Sequence, residues 1–466
     1  MSDNLYELLA SRFPADRDQP CFLLPDGAEI SYGDLESAAG RVAAAMIGQG
    51  VVPGDRVALQ VEKCVEAVEI YLATLMAGAV FLPLNAAYTP AEIEYFIADA
   101  EPRLFIQDAA AFVARAEGLA PLAQPVPRDA SDLASIIYTS GTTGRSKGAM
   151  LSHGNLAANA LALHEAWGFT PDDVLLHALP IFHVHGLFVA LHCAFLSGAP
   201  MVWLQKYDDA QVVAGLARST VMMGVPTFYT RLLANPAFTH GVAAHMRLFV
   251  CGSAPLLEAT FAEFEARTGQ RILERYGMSE AVIITSNPLD GDRVPGSVGF
   301  PLPGVGLRIG GGEETGVIEI KGPSVFGGYW RMPEKTAEEF TDGWFITGDV
   351  GRADPDGRVW ISGRAKDLII SGGFNVYPKE VELVIDECPG VTESAVIGVP
   401  HPDFGEAVCA VVIGKTDEAS VIARVRQKLA GFKIPKRIFF VDELPRNAMG
   451  KVQKNLLRQK YGASFE

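Results

Sequence analysis

The chain has 466 residues and carries 39 Lys and Arg against 55 Asp and Glu, a formal net charge of −16. Its composition, 49% hydrophobic and 20% charged, is that of an ordinary globular enzyme. The acidic balance argues against a general nucleic-acid binder, and the length predicts more than one domain.

The N-terminal sequence lacks the basic segment and following apolar stretch of a signal peptide. No apolar run approaches the ~20 residues needed to cross a bilayer. The six cysteines stand singly, without the paired spacing of a metal or disulfide motif. We therefore expect a cytoplasmic enzyme with no membrane span, whose cysteines are buried thiols.

The first part of the chain alternates between helical and extended patterns. Apolar residues at helical spacing predict a helix over 31–50, and a strand is predicted at 56–61. A second helix over 64–77 and a second strand over 79–84 follow. This rhythm continues to about residue 250 and predicts parallel sheets covered by helices.

The later part contains short, turn-rich strands such as 317–320 and 358–362, which indicate a β-rich lobe. After Lys366 a new α/β pattern begins, with a helix at 378–387, strands at 393–399 and 407–413, and a helix at 419–430. We predict an α/β fold with a large N-terminal domain over 1–364, made of parallel α/β sheets and the β-rich lobe. A small α+β C-terminal domain over 365–466 completes it.

A loop rich in Gly, Ser and Thr follows an apolar strand that begins at Ile136. Between Thr139 and Gly148 it holds three Gly, five hydroxyl side chains and Lys147. Such a loop suits a polyphosphate, because glycines let main-chain N–H groups approach and the lysine neutralises charge. It lacks the Walker A spacing, and a surface turn remains the alternative.

Residues 138–148 resemble the phosphate loop of the adenylate-forming superfamily, which includes acyl-CoA synthetases, luciferases and peptide-synthetase adenylation domains. Five further motifs follow in that family's order: Tyr-Gly-Met-Ser-Glu at 276–280, Thr-Gly-Asp at 347–349, Gly-Arg-Ala-Lys-Asp at 363–367, Ser-Gly-Gly-Phe-Asn-Val-Tyr-Pro-Lys-Glu at 371–380, and Pro-Arg-Asn-Ala-Met-Gly-Lys at 445–451. The resemblance implies that ATP activates a carboxylic acid as an acyl-adenylate, which then passes to a thiol. It also implies ATP, Mg²⁺ and coenzyme A as cofactors.

The resemblance assigns the ATP contacts to Thr139, Ser140, Gly141, Thr142, Thr143, Gly144, Lys147, Tyr276, Ser279, Asp349 and Arg364. Tyr276 would pack on adenine, and Ser279, which replaces the family's Thr, would contact the α-phosphate. Asp349 would accept hydrogen bonds from the ribose hydroxyls, with Arg364 beside it. Taken singly, such residues are also compatible with turn residues or surface ion pairs; the ordered set favours function.

Three residues are implied to be catalytic. Glu280 would hold Mg²⁺, and His183 would lie beside the acyl pocket. Lys451 would bridge the carboxylate and the α-phosphate, where negative charge concentrates. Acetylation of Lys451 by an acetyltransferase, reversed by a deacetylase, would remove that charge.

The resemblance also implies that the C-terminal domain is mobile. Lys366 matches the hinge position, and Ser371, Gly372 and Gly373 would let the coenzyme A thiol approach. A basic cluster is a candidate for the coenzyme phosphates, with a solvated face as the alternative; it comprises Lys428, Lys433, Lys436 and Arg437.

Two features bear on the acid. His185 adds a second histidine to the segment that contains His183, and Arg293 follows the adenine motif in a segment expected to border the acyl pocket. An arginine there suits a second carboxylate, and both segments resemble those of malonyl-CoA synthetases. The alternatives are a histidine bonded to the main chain at a helix start and a loop arginine or coenzyme contact.

The resemblance therefore favours ligation of malonate to coenzyme A, with release of AMP and pyrophosphate. Three alternatives remain: another small or aryl acid as substrate, a standalone enzyme that loads a carrier protein, and a non-catalytic nucleotide-binding regulator. An intact Lys451, together with Glu280 and Asp349, counts against the regulator.

Overall fold

The computed structural model describes residues 2–139, 146–312, 314–371, 374–447 and 450–465. Within these ranges, no helix combines the length and apolar character that crossing a membrane demands. The six cysteines are free thiols; Cys64 is half-buried and the others are buried.

The α-helices are α1 (Leu5–Ala10), α2 (Tyr32–Gly48), α3 (Val65–Met76), α4 (Pro90–Ala100), α5 (Ala109–Ala114), α6 (His153–Ala166), α7 (Leu191–Ser197), α8 (Asp209–Leu216), α9 (Pro226–Ala234), α10 (His240–Ala243), α11 (Glu258–Thr268), α12 (Pro333–Glu338), α13 (Pro378–Asp386), α14 (Glu418–Lys428) and α15 (Lys454–Tyr461). A π-helix, His185–Ala190, directly precedes α7.

The strands are β1 (Pro20–Leu23), β2 (Glu29–Ser31), β3 (Arg56–Leu59), β4 (Val80–Pro83), β5 (Leu104–Ile106), β6 (Leu133–Thr139), β7 (Lys147–Ser152), β8 (Leu175–His177), β9 (Met201–Trp203), β10 (Val221–Gly224), β11 (Leu248–Cys251), β12 (Leu273–Tyr276), β13 (Thr285–Ser286), β14 (Ser297–Pro301), β15 (Gly306–Ile309), β16 (Gly316–Lys321), β17 (Phe340–Thr341), β18 (Trp344–Ala353), β19 (Val359–Arg364), β20 (Ile369–Ser371), β21 (Phe374–Val376), β22 (Val391–His401), β23 (Gly405–Gly414) and β24 (Arg437–Phe440).

Two sheets form the α/β part of the N-terminal region. One has the order β5-β3-β4-β6-β7, parallel except for β7. The other contains a parallel run in the order β1-β9-β8-β10-β11-β12. Helices α2 and α3 contribute buried apolar faces to the same core as these sheets, as the alternating pattern predicts.

The second sheet continues beyond β12 as an antiparallel extension. Its order is β13-β14-β19-β18-β16-β15, with β17 paired to β18. This is the β-rich lobe predicted from the short strands, and it places the ends of β18 and β19 beside the parallel run.

The C-terminal region has its own sheet, in the order β21-β20-β23-β22 with β24 on β23. Helices α13 and α14 pack on it around buried Val381, Ile385, Val421 and Val425. A 3₁₀ turn, Ala365–Asp367, joins this region to β19. The predicted fold class, a large α/β N-terminal part with a β-rich lobe and a small α+β C-terminal part, is confirmed.

Candidate active site

The predicted site residues lie at the carboxyl ends of the parallel strands. His183 follows β8 and Tyr276 ends β12, while Thr139 ends β6 of the other sheet; Ser253, which the sequence did not indicate, follows β11. Open α/β sheets bind ligands at this edge because the loops there converge.

A buried carboxylate on β18 is held by two neighbours. Asp349 pairs across the ladder with Arg364 on β19, and the guanidinium Nε lies 2.6 Å from Asp349 Oδ1. The hydroxyl of Tyr276 donates to Asp349 Oδ2 at 2.5 Å. Burial and this carboxylate raise the pKa of the Tyr276 hydroxyl. Three residues that come from the adenine, ribose and hinge motifs therefore form one hydrogen-bonded unit.

Lys147 begins β7 and belongs to a second cluster. Its ammonium lies 2.8 Å from Glu339 Oε1 and 4.0 Å from the centre of the Tyr329 ring. The Tyr329 hydroxyl lies 3.0 Å from Glu280 Oε1 and 2.6 Å from Glu339 Oε2. Burial raises the pKa of Glu280. Two carboxylates thus share one hydroxyl proton, a crowded arrangement that an added cation would relieve.

The centre of the predicted phosphate loop lies outside the described residues. This applies to Ser140, Gly141, Thr142, Thr143 and Gly144. At the edge of the loop, the Thr139 hydroxyl donates to the main-chain oxygen of Lys147 at 3.4 Å. Ser279 is half-buried in the segment between Tyr276 and Glu280.

Two histidines share one turn after β8. The Nδ1 atom of His183 accepts the main-chain N–H of His185 at 3.2 Å, so the neutral ring carries its proton on Nε2. Burial, Lys451 and Arg275 lower the pKa of His183 to about 3. His185 Nδ1 lies 3.3 Å from the Ser253 hydroxyl, and its Nε2 has no hydrogen-bond partner within the described ranges. The turn therefore carries two neutral imidazole rings, and Nε2 of His185 has no hydrogen-bond partner among the described residues.

Arg275 is a buried cation that the sequence analysis did not single out. It is 5% exposed, yet its Nε and Nη2 find no hydrogen-bond partner among the described residues. Gly252 makes room for it, since a Cβ there would lie 2.5 Å from the guanidinium. Burial lowers the pKa of Arg275 to about 10, which keeps it charged at neutral pH. A buried charge without a partner is costly, so this guanidinium favours an anionic ligand.

Lys451 links the C-terminal region to this cleft. Loss of hydration in the cleft lowers the pKa of Lys451, and the charges of Arg364 and Arg275 lower this pKa further. Part of the side chain remains accessible to solvent. The carboxylates of Asp349 and Glu280 oppose that shift. The ammonium of Lys451 is therefore close enough to interact electrostatically with the Asp349–Arg364 pair, with Glu280 and with Arg275.

Two family models match the chain. The AMP-binding enzyme model matches residues 9–330, and the AMP-binding enzyme C-terminal domain model matches residues 380–451. The chain belongs to the AMP-binding enzyme family.

Similar proteins indicate which reaction this family member catalyses. The structure of ATP-bound MatB from Rhodopseudomonas palustris is 52% identical, with both chains fully covered and a TM-score of 0.94. The mitochondrial malonate–CoA ligase ACSF3 of Mus musculus is 37% identical, with 89% of this chain and 84% of the relative covered. Feruloyl-CoA synthase from an Amycolatopsis species is 35% identical, with 94% and 95% covered. This AMP-binding enzyme is an AMP-forming acid–CoA ligase.

Arg293 of this AMP-binding enzyme does not point to the cleft but forms hydrogen bonds to main-chain oxygens near its own loop. Its guanidinium donates to the main-chain oxygens of Pro288 at 3.3 Å, Arg271 at 2.7 Å and Leu289 at 2.8 Å. These bonds tie the loop after β13 to the segment before β12. The geometry therefore does not bring Arg293 to the residues around Lys451, in contrast to Arg275.

The predicted hinge and thiolation residues lie at the start of the C-terminal region. Lys366 is exposed in the 3₁₀ turn, and its neighbour Asp367 pairs with Arg458 of α15 at 2.6 Å. Ser371 is buried at the end of β20, while Gly372 and Gly373 lie outside the described residues.

The basic cluster considered for coenzyme A is partly engaged. Lys433 pairs with Glu380 at 2.5 Å, and Arg437 donates to the main-chain oxygen of Ser464 at 2.8 Å. Lys436 lies 5.0 Å from the Phe404 ring centre.

Proposed function

We propose that this AMP-forming acid–CoA ligase activates malonate and releases malonyl-CoA, AMP and pyrophosphate. One observation carries the choice of a dicarboxylate, the buried Arg275 with two nitrogens that lack a partner within the described ranges. Malonate has one carboxylate for adenylation and a second that can bind a guanidinium through two hydrogen bonds.

The neighbours of Arg275 suit that second carboxylate. In the tautomer in which His185 Nδ1 accepts from the Ser253 hydroxyl, the proton of the neutral ring is on Nε2, which becomes a further donor. Burial and the charge of Arg275 lower the pKa of His185, so the ring stays neutral and adds a donor without repelling the arginine. A methyl or aryl group in this position would leave the guanidinium unpaired, at a cost of several kcal/mol.

Among the relatives, the malonate–CoA ligase ACSF3 of Mus musculus and the feruloyl-CoA synthase of an Amycolatopsis species resemble the chain to similar degrees, at 37% and 35% identity. Arg275 is the feature that favours the small dianion over the aryl acid.

In the first half-reaction, a carboxylate oxygen of the acid attacks the α-phosphorus of ATP, and pyrophosphate leaves. Both reactants are anions, so a fixed cation at the point of attack lowers the barrier. Lys451 would supply that charge, while His183, neutral and with its proton on Nε2, would donate at the edge of the acyl pocket. Lys147 and residues 139–144 would hold the β- and γ-phosphates, with Ser279 near the α-phosphate.

Asp349 would bind the ribose hydroxyls, with Arg364 and Tyr276 holding its carboxylate in place. We expect Asp349→Ala to raise the KM for ATP about 10- to 100-fold, because two hydrogen bonds to a charged acceptor are lost. The KM for the acid should change little. Steady-state kinetics with each substrate varied in turn checks this, and an unchanged KM for ATP would contradict the assignment.

The residues around Glu280 fit a magnesium ion that arrives with ATP. Among the described residues, no three His, Cys, Asp or Glu side chains form a metal site by themselves. Mg²⁺ typically takes one or two carboxylates together with substrate phosphates, and Glu280 is the buried carboxylate crowded by Tyr329 and Glu339. When bound, Mg²⁺ would screen the phosphate charge, with Glu280 as its protein ligand.

In the second half-reaction, the thiol sulfur of coenzyme A attacks the acyl carbonyl carbon, the thiol proton is released and AMP leaves. We assign this step to a reorientation of residues 365–466 about Lys366. This movement would take Lys451 out of the cleft and bring Ser371, Gly372 and Gly373 to the acyl-adenylate. Lys428 and Lys436 are the coenzyme phosphate contacts that we favour.

Acetylation of Lys451 by an acetyltransferase, reversible by a deacetylase, would block the first half-reaction by removing its charge.

A substrate panel tests the proposed function. With ATP, Mg²⁺ and coenzyme A, we expect AMP release with malonate to exceed that with acetate, butyrate, succinate or ferulate by about 100-fold in kcat/KM. Formation of malonyl-CoA with the free coenzyme separates this enzyme from one that loads a carrier protein. A preference for a monocarboxylate would contradict the role of Arg275.

A further inference from the structure

A buried lysine connects the two sheets of the N-terminal region. Lys63 follows β3 and is 6% exposed, and its ammonium lies 3.9 Å from the centre of the Trp203 ring. It contacts three acceptors, the main-chain oxygens of His177 and Leu204, both at 2.7 Å, and His177 Nδ1 at 2.8 Å. Lys63 thereby ties the carboxyl end of β3 in one sheet to those of β8 and β9 in the other.

The contacts of His177 determine how many protons the pair holds. Its Nε2 lies 2.9 Å from the main-chain oxygen of Gly186, which can only accept, so Nε2 carries a proton. The main-chain oxygens of His177 and Leu204 each need a proton from Lys63. One more proton must lie between the Lys63 nitrogen and Nδ1, because otherwise two lone pairs would face each other at 2.8 Å.

Wherever that last proton lies, the pair has one positive charge. It is either an ammonium beside a neutral imidazole or an amine beside an imidazolium. Within the described part of the chain, no carboxylate forms an ion pair with Lys63. Burial lowers the pKa of Lys63 and of His177, and the two carbonyl dipoles and the face of Trp203 oppose that effect by stabilising the charge.

One hydrogen bond, from His177 to the main-chain oxygen of Gly186, connects the pair to the turn that carries His183 and His185. Gly186 accepts from His177 and directly follows His185, at the start of the π-helix. A side chain at Gly186 would clash, since a Cβ would lie 2.1 Å from the main-chain oxygen of Pro180. The turn with His183 and His185 is therefore fixed by a close main-chain approach on one side and by His177 on the other.

We infer that Lys63 and His177 are positioning residues for the dicarboxylate substrate: the pair holds the His183–Gly186 turn in register and places a positive charge behind that turn. This inference rests on the proposed function. The pair touches no reacting atom, and its influence is on the binding of the acid and not of ATP.

Two substitutions separate the charge from the hydrogen-bond link. Lys63→Met removes the charge and keeps an unbranched side chain of similar length. His177→Asn keeps an acceptor for Lys63, because Asn Oδ1 can replace Nδ1, but it cannot reach Gly186. A matched control is Tyr71→Phe, which breaks another buried bond, from Tyr71 to His192 Nε2 at 2.8 Å, outside this pair.

We expect Lys63→Met to raise the KM for malonate about 10-fold or more, to reduce the ratio of kcat/KM for malonate over butyrate, and to leave the KM for ATP within about twofold. His177→Asn should lower kcat/KM for both acids with a smaller change in their ratio, since the charge remains. Tyr71→Phe should keep the wild-type ratio, even with a lower melting temperature.

Different outcomes overturn different statements. If the wild type prefers malonate and both variants, folded by circular dichroism, keep the wild-type malonate kinetics, the positioning inference is wrong and the proposed function stands. If the wild type prefers a monocarboxylate, the proposed function fails first and the role of the charge with it. If Lys63→Met does not fold, His177→Asn decides, because it retains Lys63: unchanged kinetics then overturn the inference.

Discussion

Replacing Lys451 by Met is expected to slow acyl-adenylate formation by about 10²- to 10³-fold, the effect of removing one preorganised charge from a transition state. Arg364 is bound to Asp349, and Lys147 to Glu339, so each of these cations is already paired. Lys451 makes no such ion pair in the described residues, and it is the cation that we propose the C-terminal region delivers. Pyrophosphate release in a single turnover measures this step.

The second half-reaction provides an internal comparison. When preformed malonyl-adenylate and coenzyme A are supplied, Lys451→Met should make thioester at a rate within about 10-fold of wild type, because we propose that the lysine acts only on the first step. Lys451→Gln, neutral like acetyl-lysine, should behave in the same way. Lys460→Met removes an exposed lysine of α15 and should retain wild-type rates. Rapid pyrophosphate release by Lys451→Met would exclude the assigned role.

Much of the fold was predictable because local signals agree with the tertiary structure. The helix predicted over 31–50 is Tyr32–Gly48, and it begins where the Ser31 side chain and Asp34 form a capping box. The helix predicted over 64–77 is Val65–Met76, a run without Gly or Pro that the core covers on nearly every side. The strand predicted over 56–61 was too long: β3 ends at Leu59 and the chain turns toward Lys63.

Site residues in ordered motifs were predictable as a group, whereas those set by tertiary packing were not. The cross-strand register that joins Asp349 to Arg364 depends on pairing between β18 and β19. No local pattern reveals that Lys63 reaches His177, since Lys63 follows β3 of one sheet and His177 ends β8 of the other. Arg275 did leave a signal: together with Glu274 it places two charged residues in the four-residue strand β12, directly before Tyr276.

Arg293 was predicted for the acyl pocket because its loop follows the adenine motif, but proximity in sequence does not determine where a long side chain points. Its donors turn back to three main-chain oxygens near its own loop. Arg275 lies on a strand whose carboxyl end lines the cleft, and no such carbonyls are available to it among the described residues. Two arginines of identical chemistry thus differ in their hydrogen-bond partners, and on that difference we propose different roles for them.

Replacing Arg275 by Met is expected to lower kcat/KM for malonate by about 10²- to 10³-fold, because the second carboxylate would be buried without its countercharge. Activity with butyrate should rise at the same time, since an apolar chain no longer faces an unpaired guanidinium. The KM for ATP should stay near wild type. Competition between malonate and butyrate in one reaction, resolved as the two coenzyme A thioesters, measures the switch directly.

The matched control is Arg293→Met, the same chemical change at the other arginine. It removes three hydrogen bonds to the main chain, so we expect a lower melting temperature with the malonate preference retained. If the preference instead disappears in Arg293→Met and survives in Arg275→Met, the loop arginine must turn into the pocket when substrate binds. The paired variants therefore separate an arginine that recognises the substrate from one that stabilises a loop.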